Sequence, residues 1–259
     1  MTKLIRGIYT AAAGMVGETF RLETSANNLA NVNTPGYKRD VAVFRSFSEL
    51  LIRRVNDLDP GPLRSSAVRS QVLGRLGTGA YIERIQVDQS PGAARRTDNP
   101  KDVAIEGEGF FQLETPGGVR FARSLSLTSV QGVLSANGYP VLGENGRILL
   151  TGDDFTVDQT GTVSSGGAIG GRLAVVKFPS PGDLAKQGET LFAPTPGSGQ
   201  PEPATEAKLE PGFLEAANVN PVTEMVEMVS VMRAYEANQK ALQAQDQSLD
   251  KLINEVARV

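Results

Sequence analysis

The stretch from Asn220 to Val256 reads NPVTEMVEMVSVMRAYEANQKALQAQDQSLDKLINEV, with no glycine and no proline after Pro221. Apolar side chains return at Met225, Met228, Met232, Tyr235, Leu242, Leu249, Ile253 and Val256, and Gln239 and Asp246 occupy the two gaps in that seam. Asn220 suits an N-cap, Pro221 the first helical position, and Glu224 the first turn. A helix over 222–256 would be about 50 Å long. So long a helix with one narrow apolar stripe requires a partner.

The N-terminal end is written in the same style. Ile5, Ile8, Ala12, Met15, Leu22, Ala26 and Leu29 fall at helical spacing within residues 4–30, and Thr19 breaks the stripe. Gly7, Gly14 and Gly17 lie inside this helix, each costing about 1 kcal/mol relative to alanine. Between the ends, residues 100–212 alternate short apolar runs with turn residues. Val103–Ile105, Phe110–Leu113, Tyr139–Leu142, Arg147–Leu150, Phe155–Val157 and Arg172–Phe178 read as strands. Asn145-Gly146 signals a two-residue hairpin, and Asn137-Gly138 and Gln159-Thr160-Gly161 further turns. The expected fold class is α+β: terminal α-helices pairing as a coiled-coil-like unit, with an all-β central domain. The divisions fall at 1–39 (assembly helix and Asn-rich turn), 40–99 (an extended arm ordering on contact), 100–212 (β-rich domain) and 213–259 (C-terminal assembly helix).

The chain has 259 residues, with 26 basic and 29 acidic side chains and a formal net charge of −3. That balance gives no footprint for nucleic acid. The arginines at 53, 54, 64, 69, 75, 95 and 96 read as a solvated arm. There is no histidine and no cysteine, which removes thiol and Ser-His-Asp chemistry and most zinc sites. No apolar run approaches the roughly 20 residues of a membrane span, and the N-terminus lacks the apolar core of a cleavable secretory signal. Gly74-Arg75-Leu76-Gly77-Thr78-Gly79 has the wrong glycine order for a dinucleotide loop. Gly107-Glu108-Gly109 leads into strand-spaced phenylalanines rather than a helix that would cradle phosphate. Asp153, Asp154 and Asp158 lack calcium-loop spacing. No cofactor, metal, small-molecule substrate or catalytic residue is expected.

The densest local signal is Asn27-Asn28-Leu29-Ala30-Asn31-Val32-Asn33-Thr34-Pro35-Gly36-Tyr37-Lys38. Physically it is a helix stop followed by a Pro-Gly turn. This stretch, from Ser25 onward, closely resembles the N-terminal signature of flagellar rod and hook proteins. Three further segments are similar to the same family, in the family's order. They are Lys101 to Phe111, which includes Gly107, Gly109 and Phe110; Gly212 to Asn220, which includes Asn218; and Arg233-Ala234-Tyr235-Glu236-Ala237-Asn238-Gln239-Lys240. The motif positions carried by the resemblance are Asn27, Asn28, Asn31, Asn33, Pro35, Gly36, Gly107, Gly109, Phe110, Asn218, Asn220, Arg233, Tyr235 and Glu236.

The resemblance implies a structural, non-enzymatic subunit of the flagellar basal-body rod, the hollow shaft that crosses the periplasm and transmits torque from motor to hook. It also implies export through the flagellar type III apparatus without a cleaved signal. Terminal segments disordered in the monomer would pair as helices on assembly with copies of the chain and other rod or hook proteins. The expected assembly surface comprises Ile5, Ile8, Ala12, Met15, Leu22, Leu29, Met225, Met228, Met232, Tyr235, Leu242, Leu249 and Ile253. The arm with Gly77-Thr78-Gly79 is similar to the distal rod protein, whereas Tyr139–Gly146, Gly170–Leu173 and Leu184–Gly188 look more like the proximal one. One departure is Phe121 to Leu127, which lacks the family's turn glycine, leaving the hairpin expected there in question. Two alternatives share some features: another fibrous assembly such as a phage-tail component, and a carboxylate-pair hydrolase of cell-wall glycan.

Overall fold

The computed structural model describes residues 2–47, 50–53, 72–77, 79–204 and 206–256, with side chains described for 7–47, 74, 77, 79–204 and 206–254. Within the expected arm, residues 48–49, 54–71 and 78 lie outside the described residues. A helix, α1 (Thr2–Ala30), opens the chain and a second, α2 (Pro221–Val256), closes it, with twenty-one described strands between them. Among the described residues no helix is long and apolar enough to cross a membrane. The chain divides into two compact units: residues 1–24, 42–85 and 226–259 form one, and residues 25–41 and 86–225 form the other.

The second unit is the β-rich body. Its main sheet runs in the order Ala185–Gln187, Leu191–Ala193, Gly118–Ala122, Phe110–Thr115, Tyr139–Gly143, Val133–Ala136, Ser124–Val130, Asp102–Glu106, Lys208–Pro211. A separate three-stranded sheet orders Phe155–Val157, Thr162–Ser165 and Ala168–Arg172. Alternating side chains from these strands fill one core, including Val103, Phe111, Leu113, Leu125, Leu134 and Val141, all at or near zero exposure. A second cluster stacks Phe110, Phe121, Phe178 and Phe192 edge to face, with centroids 4.8–5.9 Å apart, a favoured arrangement of aromatic quadrupoles.

Turn chemistry explains the register. Asn137 (φ 53°) and Gly138 (φ 81°) join Ala136 to its cross-strand partner Tyr139, and Gln131 (φ 52°) and Gly132 (φ 76°) join Val130 to Val133. Both are two-residue loops with two positive φ values, which match the strand twist. The turn signals in the sequence point to the first and not to the second, where glutamine stands in the place usually held by asparagine. Asn145-Gly146 is corrected by one residue. Gly146 pairs with Gly143, so the loop is Glu144-Asn145, and Gly146 takes φ 103° as the first paired residue.

The stretch Phe121–Leu127 is not a hairpin. Ala122 ends one strand against Phe111, and Ser124 begins another against Ala104. The intervening Arg123 turns inward instead of a glycine turning the chain. Asp158 is occupied locally: its Oδ1 accepts from Thr160 N and Thr162 N, both at 2.8 Å.

In the first unit the helices meet at intervals of seven residues along α1. A Cβ on Gly7 would lie 2.5 Å from the Gln245 amide, and one on Gly14 would lie 3.0 Å from the Asn238 amide. Arg21 pairs with Glu227 at 3.2 Å. Contacts advance along α1 as they retreat along α2, so the two run antiparallel. Glycine is present because an opposing amide side chain occupies the space of the missing Cβ. Phe47 and Tyr81 stack at 5.1 Å in the same unit.

Candidate functional site

Seven charged side chains, in four ion pairs, and three asparagines from distant parts of the sequence converge in the β-rich unit. The convergence begins at the end of α1, where Asn31 N still bonds Asn27 O at 3.2 Å and Gly36 takes φ 73°. That turn reverses the chain, so Tyr37 and Lys38 fold back beneath the helix end, each about 1% exposed. The buried Asn28 amide then pairs with the backbone of Asp40, donating to its carbonyl at 2.9 Å and accepting from its N–H at 2.8 Å. The Tyr37 hydroxyl lies 2.8 Å from Asn27 Oδ1 and 3.0 Å from Asn28 Oδ1.

Beyond that turn lies a buried ion cluster. Glu215 receives Lys38 Nζ at 2.6 Å on one oxygen and Arg123 Nε at 2.9 Å on the other, and all three side chains are at most 5% exposed. Gly92 N also donates to Glu215 at 2.8 Å. Arg123 donates further to the carbonyls of Gly107 and Gly109, so those two glycines serve to present backbone oxygens to a guanidinium. The remaining Lys38 capacity goes to Ser90 O at 2.7 Å. Buried charges persist only when paired and hydrogen-bonded in this way. A side chain at Gly92 would be driven into the Ala216 carbonyl, only 1.9 Å from the Cβ position.

The C-terminal motif closes the other side. Asn218 accepts from Arg39 N at 2.7 Å and donates to Asp88 O at 2.9 Å. Asn220 caps α2 by accepting from Val222 N at 3.0 Å, satisfying a donor that the helix end leaves free. Arg39 pairs with the buried Glu224. Lys186 pairs with Asp40 at 2.9 Å and stands 3.7 Å over the Tyr37 ring. Burial lowers the proton affinity of Lys38 and of Lys186, while their carboxylate partners oppose that shift.

Burial, then the charge of Asp40, holds Tyr37 well above the usual phenol range. The unfolded chain therefore loses this proton near pH 10 while the folded chain keeps it, and stability falls as pH rises past 10. The two lysines act in the opposite direction below about 10.5, because there the unfolded chain holds the more protons. Urea midpoints followed from pH 10 to 11 are expected to fall more steeply for the parent than for Tyr37→Phe. Equal slopes would show that the hydroxyl is not held protonated.

Of the sequence-predicted motif residues, Asn27, Asn28, Gly36, Gly107, Gly109 and Asn218 are brought together here. Asn31 and Asn220 cap the two helices, and Phe110 belongs to the aromatic cluster, 5.6 Å from the Arg123 guanidinium. Pro35 is half-buried in the turn, while Asn33, Arg233, Tyr235 and Glu236 are exposed. Sequence reasoning missed the functional weight of Lys38, Arg39, Arg123, Glu215 and Glu224, because nothing in the local pattern separates a buried charge from a solvated one. Of the positions expected on the assembly surface, Ile8, Ala12, Met15, Leu22, Leu29, Met228, Leu242 and Leu249 are half-buried, and Met225, Met232, Tyr235 and Ile253 are exposed. The Ile5 side chain lies outside the described residues. Among the described residues no three His, Cys, Asp or Glu side chains group to hold a metal ion.

Two of the segments that build this cluster, the turn after α1 and the start of α2, lie within matches to known families. Residues 8–38 match the family described as flagella basal body rod protein, and residues 210–255 match the flagellar basal body rod FlgEFG protein C-terminal family. The flagellar basal-body rod protein FlgG of Borreliella burgdorferi is 32% identical over 95% of this chain and 97% of its own length. The chain belongs to the flagellar basal-body rod protein family. The flagellar hook-basal body complex protein FlhO of Bacillus subtilis is 30% identical over 99% of this rod-family chain and all of its own length. The flagellar basal-body rod protein FlgF of Caulobacter vibrioides is 31% identical over 85% of each. The two family matches contribute opposite sides of the cluster, Asn28 and Lys38 from one, Glu215, Asn218 and Glu224 from the other.

Proposed function

We propose that this chain is a structural subunit of the flagellar rod, assembling with copies of itself and with other rod and hook components into a torque-bearing shaft. In this reading its terminal helices pair as a coiled-coil-like unit and offer their remaining apolar surface to neighbouring subunits. The relatives described above lend no support to the phage-tail and glycan-hydrolase alternatives, and all three are flagellar rod or hook-basal body proteins.

One observation carries the reading. The two helices approach each other through Gly7, Gly14, Asn238 and Gln245, leaving much of the apolar side-chain surface elsewhere. Tyr9 is 70% exposed, Met232 45% and Ile253 56%, with Val16, Phe20, Val226 and Val229 also open to solvent. Burying each such side chain is worth about 1.5–3 kcal/mol, a gain that one copy alone leaves unrealised. Contacts that repeat head to tail without closing generate an open helical filament. Export without a cleaved signal belongs to the same proposal.

The test is location. An epitope-tagged chain in motile cells is expected to co-purify with basal bodies and to lie along the axis. Basal bodies of normal appearance that lack the tag would refute the reading.

A further inference from the structure

The β-rich unit holds the chain's two Asn-Gly pairs, Asn137-Gly138 and Asn145-Gly146, each at a hairpin turn. An asparagine before glycine is open to reaction with its own backbone. The nitrogen of the following residue, once deprotonated, attacks the side-chain carbonyl carbon. Glycine permits the close approach because it carries no Cβ to obstruct the ring that forms. Asn137 and Asn145 are both exposed, and neither side-chain amide has a hydrogen-bond partner among the described residues. A Cβ placed on either glycine would meet nothing within 4 Å. By their side-chain surroundings the two pairs are alike.

The backbone separates them. Ala136 pairs with Tyr139, so Asn137 and Gly138 are the two central residues of the first loop, at φ 53° and 81°. Gly138 N lies outside the ladder and makes no hydrogen bond to another backbone group. The second loop is shifted by one residue. Gly143 pairs with Gly146, so the nitrogen after Asn145 belongs to the residue that closes the ladder. In a two-residue hairpin that closing N–H is donated to the carbonyl three residues back. Gly146 N must therefore give up a hydrogen bond before it attacks, and Gly138 N gives up none.

We propose that Asn137 is a site of spontaneous deamidation whose product unlocks its hairpin, and that Asn145, before the same residue, is protected by the ladder. The Gly138 nitrogen loses its proton to solvent base and bonds to Asn137 Cγ. The Cγ–Nδ2 bond breaks, and Nδ2 takes up a proton and leaves as ammonia, closing a cyclic imide. Water then opens the imide at either carbonyl. One product is aspartate. The other is isoaspartate, whose backbone runs through the former side chain and is longer by a methylene. That longer backbone falls beside Leu134, Ser135 and Ala136, all at most 3% exposed. Loop length fixes hairpin register, so the isoaspartate form loosens the pairing of Val133–Ala136 with Tyr139–Gly143. This chemistry is independent of what the chain assembles with.

Trypsin releases both asparagines in one peptide, Ser124–Arg147, which contains no internal lysine or arginine. Fragment-ion spectra of that peptide therefore report both sites from the same sample. Full-length folded chain held in mildly alkaline buffer is expected to convert Asn137 about fivefold faster than Asn145, the factor that one ordinary net hydrogen bond represents. In guanidinium chloride, where neither hairpin persists, the two rates should converge. Equal rates in the folded chain, a faster Asn145, or a ratio that survives denaturation overturns the proposal. Asn137→Gly removes the amide and tolerates the positive φ. The parent's thermal midpoint is expected to fall during the incubation while that of Asn137→Gly holds. No fall in the parent, or an equal fall in both, overturns the unlocking of the hairpin.

Discussion

Replacing Glu215 by alanine is expected to destabilise the protein by about 3–5 kcal/mol, the cost of stripping a buried ion cluster of its counter-charge. Lys38 and Arg123 both lean on that single carboxylate, at 2.6 and 2.9 Å. With it gone, two cations at most 5% exposed face each other without the carboxylate that paired both. Set against a total stability of about 5–15 kcal/mol, this loss brings the fold close to its limit. The reverse deletion is milder. Lys38→Met removes one cation, roughly preserves the volume of the stem, and leaves Glu215 bound to Arg123 and to Gly92 N. Ser90 O also keeps the donor it receives from Asn218 at 3.1 Å. Arg123→Met falls between, because the carbonyls of Gly107 and Gly109 lose the donors that satisfied them. Urea unfolding monitored by circular dichroism orders the three. If Lys38→Met costs as much as Glu215→Ala, the carboxylate is not the hub.

The second large effect is expected where stability barely changes. Met232→Asp places a carboxylate at a position 45% exposed on α2, so the folded monomer should lose no more than about 1 kcal/mol, mostly helix propensity. Swimming should nevertheless stop. If a neighbouring copy covers this side chain, each contact forfeits about 1.5–3 kcal/mol of burial and adds the cost of an unpaired charge in an apolar setting. That penalty recurs at every subunit. Motility plates report the loss, and a thermal melt of the purified chain shows that folding is intact. Normal swimming by this variant would remove the helices from the assembly surface.

The elements most legible in the sequence were those whose physics is local. α2 is bounded by an asparagine cap and a proline, and α1 by its asparagine stop, so both were placed to within about two residues. The strands around Phe110, Tyr139 and Phe155 followed from short apolar runs between turn residues. What the apolar period did not reveal is how the two helices approach. Glu224, Val231, Asn238 and Gln245 recur every seven residues along α2 and are buried or half-buried. Two of the four are amides set against glycines, a signal that a search for apolar stripes passes over. The ion cluster was hidden for another reason. Its members are separated by up to 177 residues, and a lysine or glutamate bound for the interior looks the same in sequence as one bound for solvent.

The bond between Lys38 and Glu215 has a consequence for how the protein comes into being. Its two ends belong to the opening and closing portions of the polypeptide, so the turn after α1, held locally by Asn27 and Asn28, gains its buried ion pair only once the chain through Glu215 is available. Closing so wide a loop comes late and slowly. A molecule delivered one end first therefore keeps Lys38 without this partner throughout the journey, and the stretch from Glu215 onward acts as the key that fixes it in place.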